Sequence, residues 1–265
     1  MPFPDAQRVI YRRNPLAEVV CQLRFPPILS IDAGVPALFQ ERIRGEFPEF
    51  SEMAELHVEV PTPFKTTLPP ELVQQFVQSA AAKNYTFSSD DGAWRANLTR
   101  TFVALTTTKY ERWEQFKDRL QIPLSAVVDV YAPAYFTRIG LRYVDVIRRS
   151  ALEMSDTDWS DLLQPYIVGI LGAPGVGNSV ANFESRHEVI LGDGRGTVRI
   201  VAKFFEAEEG GEVCFGIDSD FFTTDRTPID SAMEALDFFN VRASRLMRWC
   251  ISDRLHASMD PREVP

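Results

Sequence analysis

Hydrophobic and polar positions follow two different periods along this chain. At Leu16–Phe25 they alternate, as is typical of a β-strand with one buried face. At Glu111–Tyr131 the apolar residues return at helical spacing, although Pro123 is expected to kink or break that helix. Strand composition resumes at Tyr135–Ile147, and a second series of elements follows. The apolar face of the first strand is formed by Val19, Cys21 and Leu23.

The remaining elements are predicted from the same two patterns. In the first half they are a helix at Val35–Phe47, an edge strand around Leu56–Val60, a short helix at Glu71–Lys83, and strands at Asn84–Ser89, Ala93–Thr99 and Thr101–Lys109. In the second half they are a helix at Asp156–Leu171, strands at Ser179–Gly192, Thr197–Phe205 and Val213–Phe222, and a final helix at Ile229–Ala257. Turns with residues suited to hairpins are predicted at Asp90-Asp91-Gly92, Gly192-Asp193-Gly194 and Glu208–Gly211.

The order of elements suggests an internal duplication. Residues 1–132 and 133–265 each have the order β-α-β-β-β-α, and Leu-Arg-Phe at 23–25 matches Leu-Arg-Tyr at 141–143. A coincidence of pattern is the alternative. We expect an α+β fold in which antiparallel sheets are covered by long helices, with both repeats packed as one globular unit. This element order resembles TATA-binding-protein-like folds and the helix-grip of START-like domains.

Composition narrows the class of protein. Of the 265 residues, 45% are hydrophobic and 25% charged, which is ordinary for a globular protein. The formal net charge of −9 argues against nucleic-acid binding, which depends on Lys and Arg. Three widely spaced cysteines in apolar surroundings indicate free thiols. Because the chain shows neither a secretory signal nor a membrane-length apolar run, we expect a cytoplasmic protein without membrane association.

No motif with a known catalytic mechanism is found. Gly172–Ser179 has P-loop spacing, but Asn178 replaces the lysine, and a predicted helix rather than a strand precedes it. The three histidines are not at metal-ligand spacing from one another. We therefore predict no catalytic residues, no metal site and no cofactor, and favour a non-catalytic role.

Two groups of charged residues are candidates for binding. One is a possible anion site in a pocket under the helices, for which the alternative is a set of cross-strand salt bridges or a solvated sheet face. The other is an acidic surface that could bind a basic partner, for which the alternative is a solvated hairpin. The first group consists of Arg24, Arg138 and Arg142; the second consists of Glu206, Glu208, Glu209, Asp218 and Asp220.

Two stretches carry a family resemblance. Pro-Leu-Ala-Glu-Val-Val-Cys-Gln-Leu-Arg-Phe at 15–25 and Arg-Ile-Gly-Leu-Arg-Tyr-Val-Asp at 138–145 resemble an uncharacterised, sporadically distributed prokaryotic family of similar length. The resemblance covers most of the chain and implies no catalytic residues. Its patchy distribution implies accessory genes, such as components of defence or toxin–antitoxin cassettes.

Three functions are compatible with these observations. The first hypothesis is a non-catalytic interaction protein that binds a protein partner. The second is a helix-grip-like pocket protein that binds a small anionic or amphipathic ligand. The third, least supported by the charge, is a nucleic-acid-binding accessory protein. An enclosed polar cavity between the sheet and the helices would favour the second hypothesis.

Overall fold

A computed structural model describes residues 2–54, 83–192, 194–206 and 211–263 of the chain. The strands are β1 (Val9–Tyr11), β2 (Leu16–Arg24), β3 (Glu49–Ala54), β4 (Lys83–Ser88), β5 (Trp94–Thr99), β6 (Phe102–Thr107), β7 (Arg138–Ile147), β8 (Glu184–Ile190), β9 (Thr197–Glu206), β10 (Val213–Thr223) and β11 (Pro261–Glu263). The α-helices are α1 (Ala37–Ile43), α2 (Trp113–Tyr131), α3 (Trp159–Leu162), α4 (Pro165–Val168), α5 (Ala232–Cys250) and α6 (Asp253–Ser258).

Within the described ranges, nine strands form one antiparallel sheet in the order β3-β4-β5-β6-β2-β7-β10-β9-β8. The predicted α+β class with an antiparallel sheet is confirmed. The strands β2 and β7 pair at the centre, with Cys21 opposite Leu141. Hairpin-connected strands extend the sheet on both sides, because the short turns favour antiparallel pairing between neighbours in sequence. The predicted turn at residues 90–92 is one of these, with Gly92 at a φ of +67°.

Alternation along the central strands defines two unlike faces. Residues directly opposite in an antiparallel pair point to the same side. Val19 therefore shares a face with Tyr143 and Ser219, and Cys21 shares it with Leu141 and Phe221. These residues are buried. The other face carries polar and charged side chains from every central strand.

The long helices pack on the buried face. In α2, Phe116 and Leu120 are fully buried, as are Leu236 and Phe239 of α5. The two helices also contact each other, because Trp113 donates its indole N–H to the Asp237 carboxylate at 2.7 Å. The ring of Phe39 in α1 lies 5.4 Å from that of Phe87 on the same side. The sheet therefore has one face covered by helices, and none of the helices named here packs against its other face.

A small second sheet joins the two ends of the chain. Strand β1 pairs antiparallel with β11, with Ile10 opposite Arg262. The hydroxyl of Tyr11 forms a 2.9 Å hydrogen bond with Nδ1 of His256. Neither strand was expected from the sequence, because three residues are too few for an alternating pattern to be recognised.

Two predicted helices are interrupted. The helix expected at Asp156–Leu171 is present only as the four-residue helices α3 and α4, followed by a 3-10 turn at Gly169–Gly172. The break lies at Leu163 and Gln164, which are both extended. Pro165 accounts for Gln164, because proline disfavours helical backbone at the residue directly before it.

The final helix was predicted at Ile229–Ala257. The structure has a 3-10 turn at Ile229–Ser231, and the α-helix that follows it, α5, ends at Cys250. Ile251 is extended and forms a β-bridge with Leu163. The side chain of Ser252 then caps α6 by accepting from the Leu255 N–H at 3.2 Å.

Two other helix predictions also need correction. The helix α2 runs without a break through Pro123, whose ring is buried, so tertiary packing tolerates a proline that local geometry disfavours. The helix expected at Val35–Phe47 is limited to α1.

Several predictions fall outside the described residues. These are the edge strand at Leu56–Val60, the helix at Glu71–Lys83 except for Lys83, which begins β4, and most of the turn at Glu208–Gly211. Asp193 of the turn at residues 192–194 is likewise outside. In the part of the chain that is described, every helix is too short or too polar to cross a lipid bilayer.

Candidate functional site

A cavity of about 120 Å³ lies between the buried face of the sheet and α5, next to β1. Strand β7 contributes Tyr143 and Asp145 to its wall, and β10 contributes Ser219. Helix α5 contributes Asn240 and Ala243. Aromatic and charged residues complete the wall: Arg8, Tyr11, Tyr110, Glu111, Arg112, Trp113 and Arg248.

An irregularity in the central strand pair adjoins the cavity. Leu16 lies opposite Asp145 and Glu18 lies opposite Val144, so β2 has one extra residue at this point. Such a bulge locally disrupts the ladder and re-aims side chains, and bulges are over-represented next to functional sites. On β10, the neighbour of β7 on its other edge, Ser219 lies opposite Tyr143. Its small side chain fills less space than the Phe and Ile residues on the same face of β10. Both features favour open space beside β7.

Asp145 is the most unusual group in the cavity. Its residue surface is only 7% exposed. Among the described residues, no hydrogen-bonding or ion-pair partner contacts its carboxylate. Desolvation by burial raises the pKa of Asp145 to about 7, and the negative charge of Asp218 contributes to the rise. A carboxylate in such a place is costly unless something hydrogen-bonds to it, and in this cavity the partner must come from solvent or from a bound molecule.

Two other polar groups of the cavity already have hydrogen-bonding partners. The Tyr143 hydroxyl donates to Oδ1 of Asn240 at 3.0 Å, and Ser219 Oγ donates to the Tyr143 carbonyl at 3.4 Å. Burial raises the pKa of Tyr11 to about 12, so its hydroxyl is neutral at physiological pH. The Asp145 carboxylate is therefore an open, strong acceptor in the buried part of the cavity, whereas the other lining carboxylate, that of Glu111, is exposed.

Aromatic rings form much of the remaining wall. Tyr110 and Tyr143 meet edge to face, with ring centroids 5.9 Å apart. Trp113 stacks on Phe116 at 5.8 Å and is held by its hydrogen bond to Asp237. Four aromatic residues therefore line the cavity, namely Tyr11, Tyr110, Trp113 and Tyr143. Each is fixed by a contact to a neighbouring residue.

The mouth of the cavity carries both signs of charge. Arg8 is ion-paired with Glu114 at 2.8 Å, and Arg248 is ion-paired with Asp253. Arg112 is exposed, and so is its neighbour Glu111, which also lines the cavity. The arginines of the mouth are therefore balanced by carboxylates of the chain.

The three arginines predicted to form an anion site do not line this cavity, and their placement under the helices was wrong. Arg24, Arg138 and Arg142 lie on the opposite, open face of the sheet, because they alternate with the residues that face the helices. Successive residues of a strand point to opposite faces, so the face that holds Leu23 cannot also hold Arg24.

The open-face arginines are held by neighbours instead. Arg142 binds Asp218 through Nε at 2.7 Å and Nη2 at 2.6 Å. Arg138 binds both oxygens of Asp220 at 2.8 and 2.9 Å. Arg24 Nε donates to Gln22 Oε1 at 2.8 Å. The two arginine–aspartate pairs match the cross-strand salt bridges that the sequence offered as the alternative, whereas the Arg24 contact lies within β2.

The same pairing changes the meaning of the predicted acidic surface. The side chains of Asp218 and Asp220 are each only 18% exposed, and their carboxylates are neutralised by Arg142 and Arg138. Glu206 ends β9 in an exposed position and does have an interaction partner. Glu208 and Glu209 lie outside the described residues. The structure therefore joins two of the acidic candidates to two of the basic candidates.

The sequence contained a signal for the cavity that residue type alone did not reveal. Asp145 lies an even number of residues from each of the inward-facing residues of β7, so the alternation of the strand directs it to the helix side. Those residues are Ile139, Leu141, Tyr143 and Ile147. An acidic residue at an inward position of an amphipathic strand is the recognisable feature. The structure also brings no three His, Cys, Asp or Glu side chains into a metal-binding group within its described ranges.

Comparison of the sequence with protein-family models gave no match, and comparison with curated protein sequences gave none either.

Proposed function

We propose that this chain binds a small molecule in the cavity between its sheet and α5. The observation that carries this proposal is the Asp145 carboxylate, which lines the cavity, is more than nine-tenths buried and has no partner among the described residues. Ligand sites in proteins are concave, largely apolar and furnished with a few converging polar groups. This cavity is concave, and it combines aromatic walls with polar groups from β7, β10 and α5.

The energetics support the same proposal. An ionised carboxylate in an apolar site destabilises the folded chain unless something hydrogen-bonds to it. Leucine or asparagine at this position would avoid that cost in a purely structural role. A ligand that binds Asp145 would instead convert the cost into binding free energy, because it binds the folded state alone.

Cavity-filling variants test the proposal. Ligand-observed NMR would be recorded on the wild type and on Ala243→Leu with a mixture of benzylamine, benzyl alcohol and benzoate. Ala243 lines the cavity from α5, so the larger side chain fills it without changing Asp145. We expect binding of at least one probe to the wild type and loss of that binding in the variant.

Circular dichroism checks that Ala243→Leu is folded, and Ser219→Val replaces it if it is not. Absence of binding by all three probes would contradict the proposed function. So would binding that both cavity-filling variants retain.

The finer description of the fold is part of the proposal. We propose that residues 1–132 and 133–265 arose by duplication and form a helix-grip-like or TATA-binding-protein-like arrangement. The strand order supports this, since β2 and β7, the strands with which each half enters the large sheet, meet at its centre, and each long helix follows the sheet strands of its own half. A cytoplasmic location also belongs to the proposal, and the three buried free cysteines support a reducing compartment.

A protein partner on the open sheet face is a second candidate function. Partly exposed residues of the central strands β2, β7, β10 and β9 support it. In this alternative the chain is an accessory component of a defence or toxin–antitoxin cassette. Capture from the host extract would be compared between the wild type and the double variant Arg142→Ser/Asp218→Ser, which removes one charged pair as a unit. A partner held equally well by both proteins would contradict the alternative.

Nucleic-acid binding is the third candidate and is opposed by the net charge of −9. Filter binding at low salt, where the electrostatic contribution is largest, tests it. Absence of retention would eliminate this function.

A further inference from the structure

The cavity also indicates which chemical class of ligand it accepts. Resting on the proposed function, we infer that the ligand is a small organic amine whose protonated nitrogen donates hydrogen bonds to the Asp145 carboxylate. The inference depends on the charge, the aromatic walls and the hydrogen-bonding state of the groups that line the cavity.

The charge of the site favours a cation. Among the described cations that line the cavity, Arg8 and Arg248 are paired with Glu114 and Asp253. The third, Arg112, is exposed and adjoins the exposed Glu111. The carboxylate of Asp145 is paired with none of the three. An anionic ligand would place a second negative charge beside a buried carboxylate, whereas an ammonium group supplies the missing counter-charge.

The aromatic walls favour the same class. Cations bind over the faces of tryptophan and tyrosine rings, and this attraction is stronger when the cation is desolvated. Tyr11, Tyr110, Tyr143 and Trp113 all line the cavity. Burial raises the pKa of Tyr11 and of Tyr110 to about 12, so these side chains are neutral and add no competing negative charge.

The hydrogen bonds distinguish an amine from a quaternary ammonium ion. Tyr143 and Ser219 already donate to Asn240 and to a carbonyl, and the strong acceptor in the buried part of the cavity is Asp145. A quaternary ammonium ion has no N–H to donate and would leave this acceptor unsatisfied. An amine with at least one N–H satisfies it and forms a charge-assisted hydrogen bond.

The pH dependence follows from the ionisation of Asp145. Asp218 acts on Asp145 from β10, and His256 of α6 contacts the lining residue Tyr11. The other titratable or charged groups that line the cavity are Arg8, Tyr11, Tyr110, Glu111, Arg112, Tyr143 and Arg248. Tyr11 and Tyr143 have raised pKa values and stay neutral below pH 9. Since the pKa of Asp145 is about 7, acidification below that value neutralises the carboxylate and weakens amine binding.

Four probes of similar shape test the inference: benzylamine, benzyl alcohol, benzoate and benzyltrimethylammonium. Dissociation constants would be measured by NMR titration at pH 8 and pH 5 on the wild type, Asp145→Asn and Asp156→Asn. Asp156 is exposed and lies outside the cavity lining. Asp156→Asn is therefore the control, because it changes the net charge of the protein as Asp145→Asn does but leaves the cavity unchanged.

We expect benzylamine to bind the wild type at pH 8 about 10-fold or more tighter than benzyl alcohol. Its affinity should fall about 100-fold at pH 5, because Asp145 is then mostly protonated. Asp145→Asn should lose the preference for benzylamine and its pH dependence, and Asp156→Asn should keep both.

Other outcomes overturn the inference in distinguishable ways. If benzyl alcohol or benzoate binds as tightly as benzylamine, and Ala243→Leu weakens that binding, the amine assignment is wrong and the pocket remains. Tighter binding of benzyltrimethylammonium would likewise overturn the role of the N–H. Binding by none of the probes would overturn the pocket itself.

Discussion

Arg142 on β7 and Asp218 on β10 form a two-pronged ion pair on the open face of the sheet, with Nε and Nη2 at 2.7 and 2.6 Å from the two carboxylate oxygens. The pair is partly shielded, since its side chains are 32% and 18% exposed. The Asp218 hydrogen bond raises the pKa of Arg142 above its usual value. These residues tie together two of the central strands.

Removal of one partner should be more damaging than removal of both. We expect Arg142→Ser to lower the free energy of unfolding by about 2 kcal/mol, because Asp218 is left partly buried without its partner. The double variant Arg142→Ser/Asp218→Ser should lose less than the single one. Urea unfolding measures both, and a double variant that is less stable than Arg142→Ser would contradict the prediction.

Gly140 allows the second ion pair to form. A Cβ at this position would lie 2.1 Å from Nη1 of Arg138, which crosses the glycine to reach Asp220. We expect Gly140→Ala to displace the guanidinium and to cost about 1 kcal/mol of stability in urea unfolding. Gly34→Ala is the matched control, since nothing lies within 4 Å of its added Cβ. Equal effects of the two substitutions would rule out this explanation.

Asp145 should make stability depend on pH in an unusual direction. Its pKa is raised to about 7 in the folded chain, so folding is favoured where the carboxyl is protonated, and this stability is lost as the pH rises through 7. Between pH 5 and pH 8, the wild type should lose roughly 2 to 3 kcal/mol relative to Asp145→Asn.

Unfolding at both pH values, without ligand, measures the difference. His256 titrates in both proteins and cancels in the comparison, and Asp156→Asn should behave as the wild type. A wild type that gains stability over Asp145→Asn at pH 8 would show that the carboxylate has a partner.

The hydrogen bond from Tyr143 to Asn240 connects the sheet to α5. We expect Tyr143→Phe to lower the free energy of unfolding by about 1 to 2 kcal/mol, because the Asn240 oxygen loses its donor beside the cavity. Tyr143→Phe/Asn240→Leu removes both partners and should recover part of the loss. A negligible effect of Tyr143→Phe on the urea midpoint would contradict the prediction.

Local pattern was sufficient to predict most strands. The alternation of Val19, Cys21 and Leu23 identified β2 and its buried face, and the Asp-Asp-Gly turn identified the hairpin between β4 and β5. Such signals are local, because alternate residues of a strand must face opposite sides. Helix ends were less predictable, since the break at Ile251 depends on a β-bridge to Leu163, far away in sequence.

The candidate site was not predicted, although its main residue lay in a predicted strand. Attention to residue type selected Arg24, Arg138 and Arg142, which the structure places on the open face. Asp145 was distinguished only by its position among inward-facing residues. Whether such a carboxylate meets a cation, water or open space depends on strands and helices from elsewhere in the chain.

The amino-acid order alone determined the α+β class, the positions of most strands and the buried side of each, because these follow from the periodicity of nearby residues. Only the tertiary structure decided that β2 meets β7, that Asp218 and Asp220 neutralise two arginines, and that a cavity opens at Asp145. Those properties arise from contacts between residues distant in sequence, and the energy of a buried charge is set by those contacts.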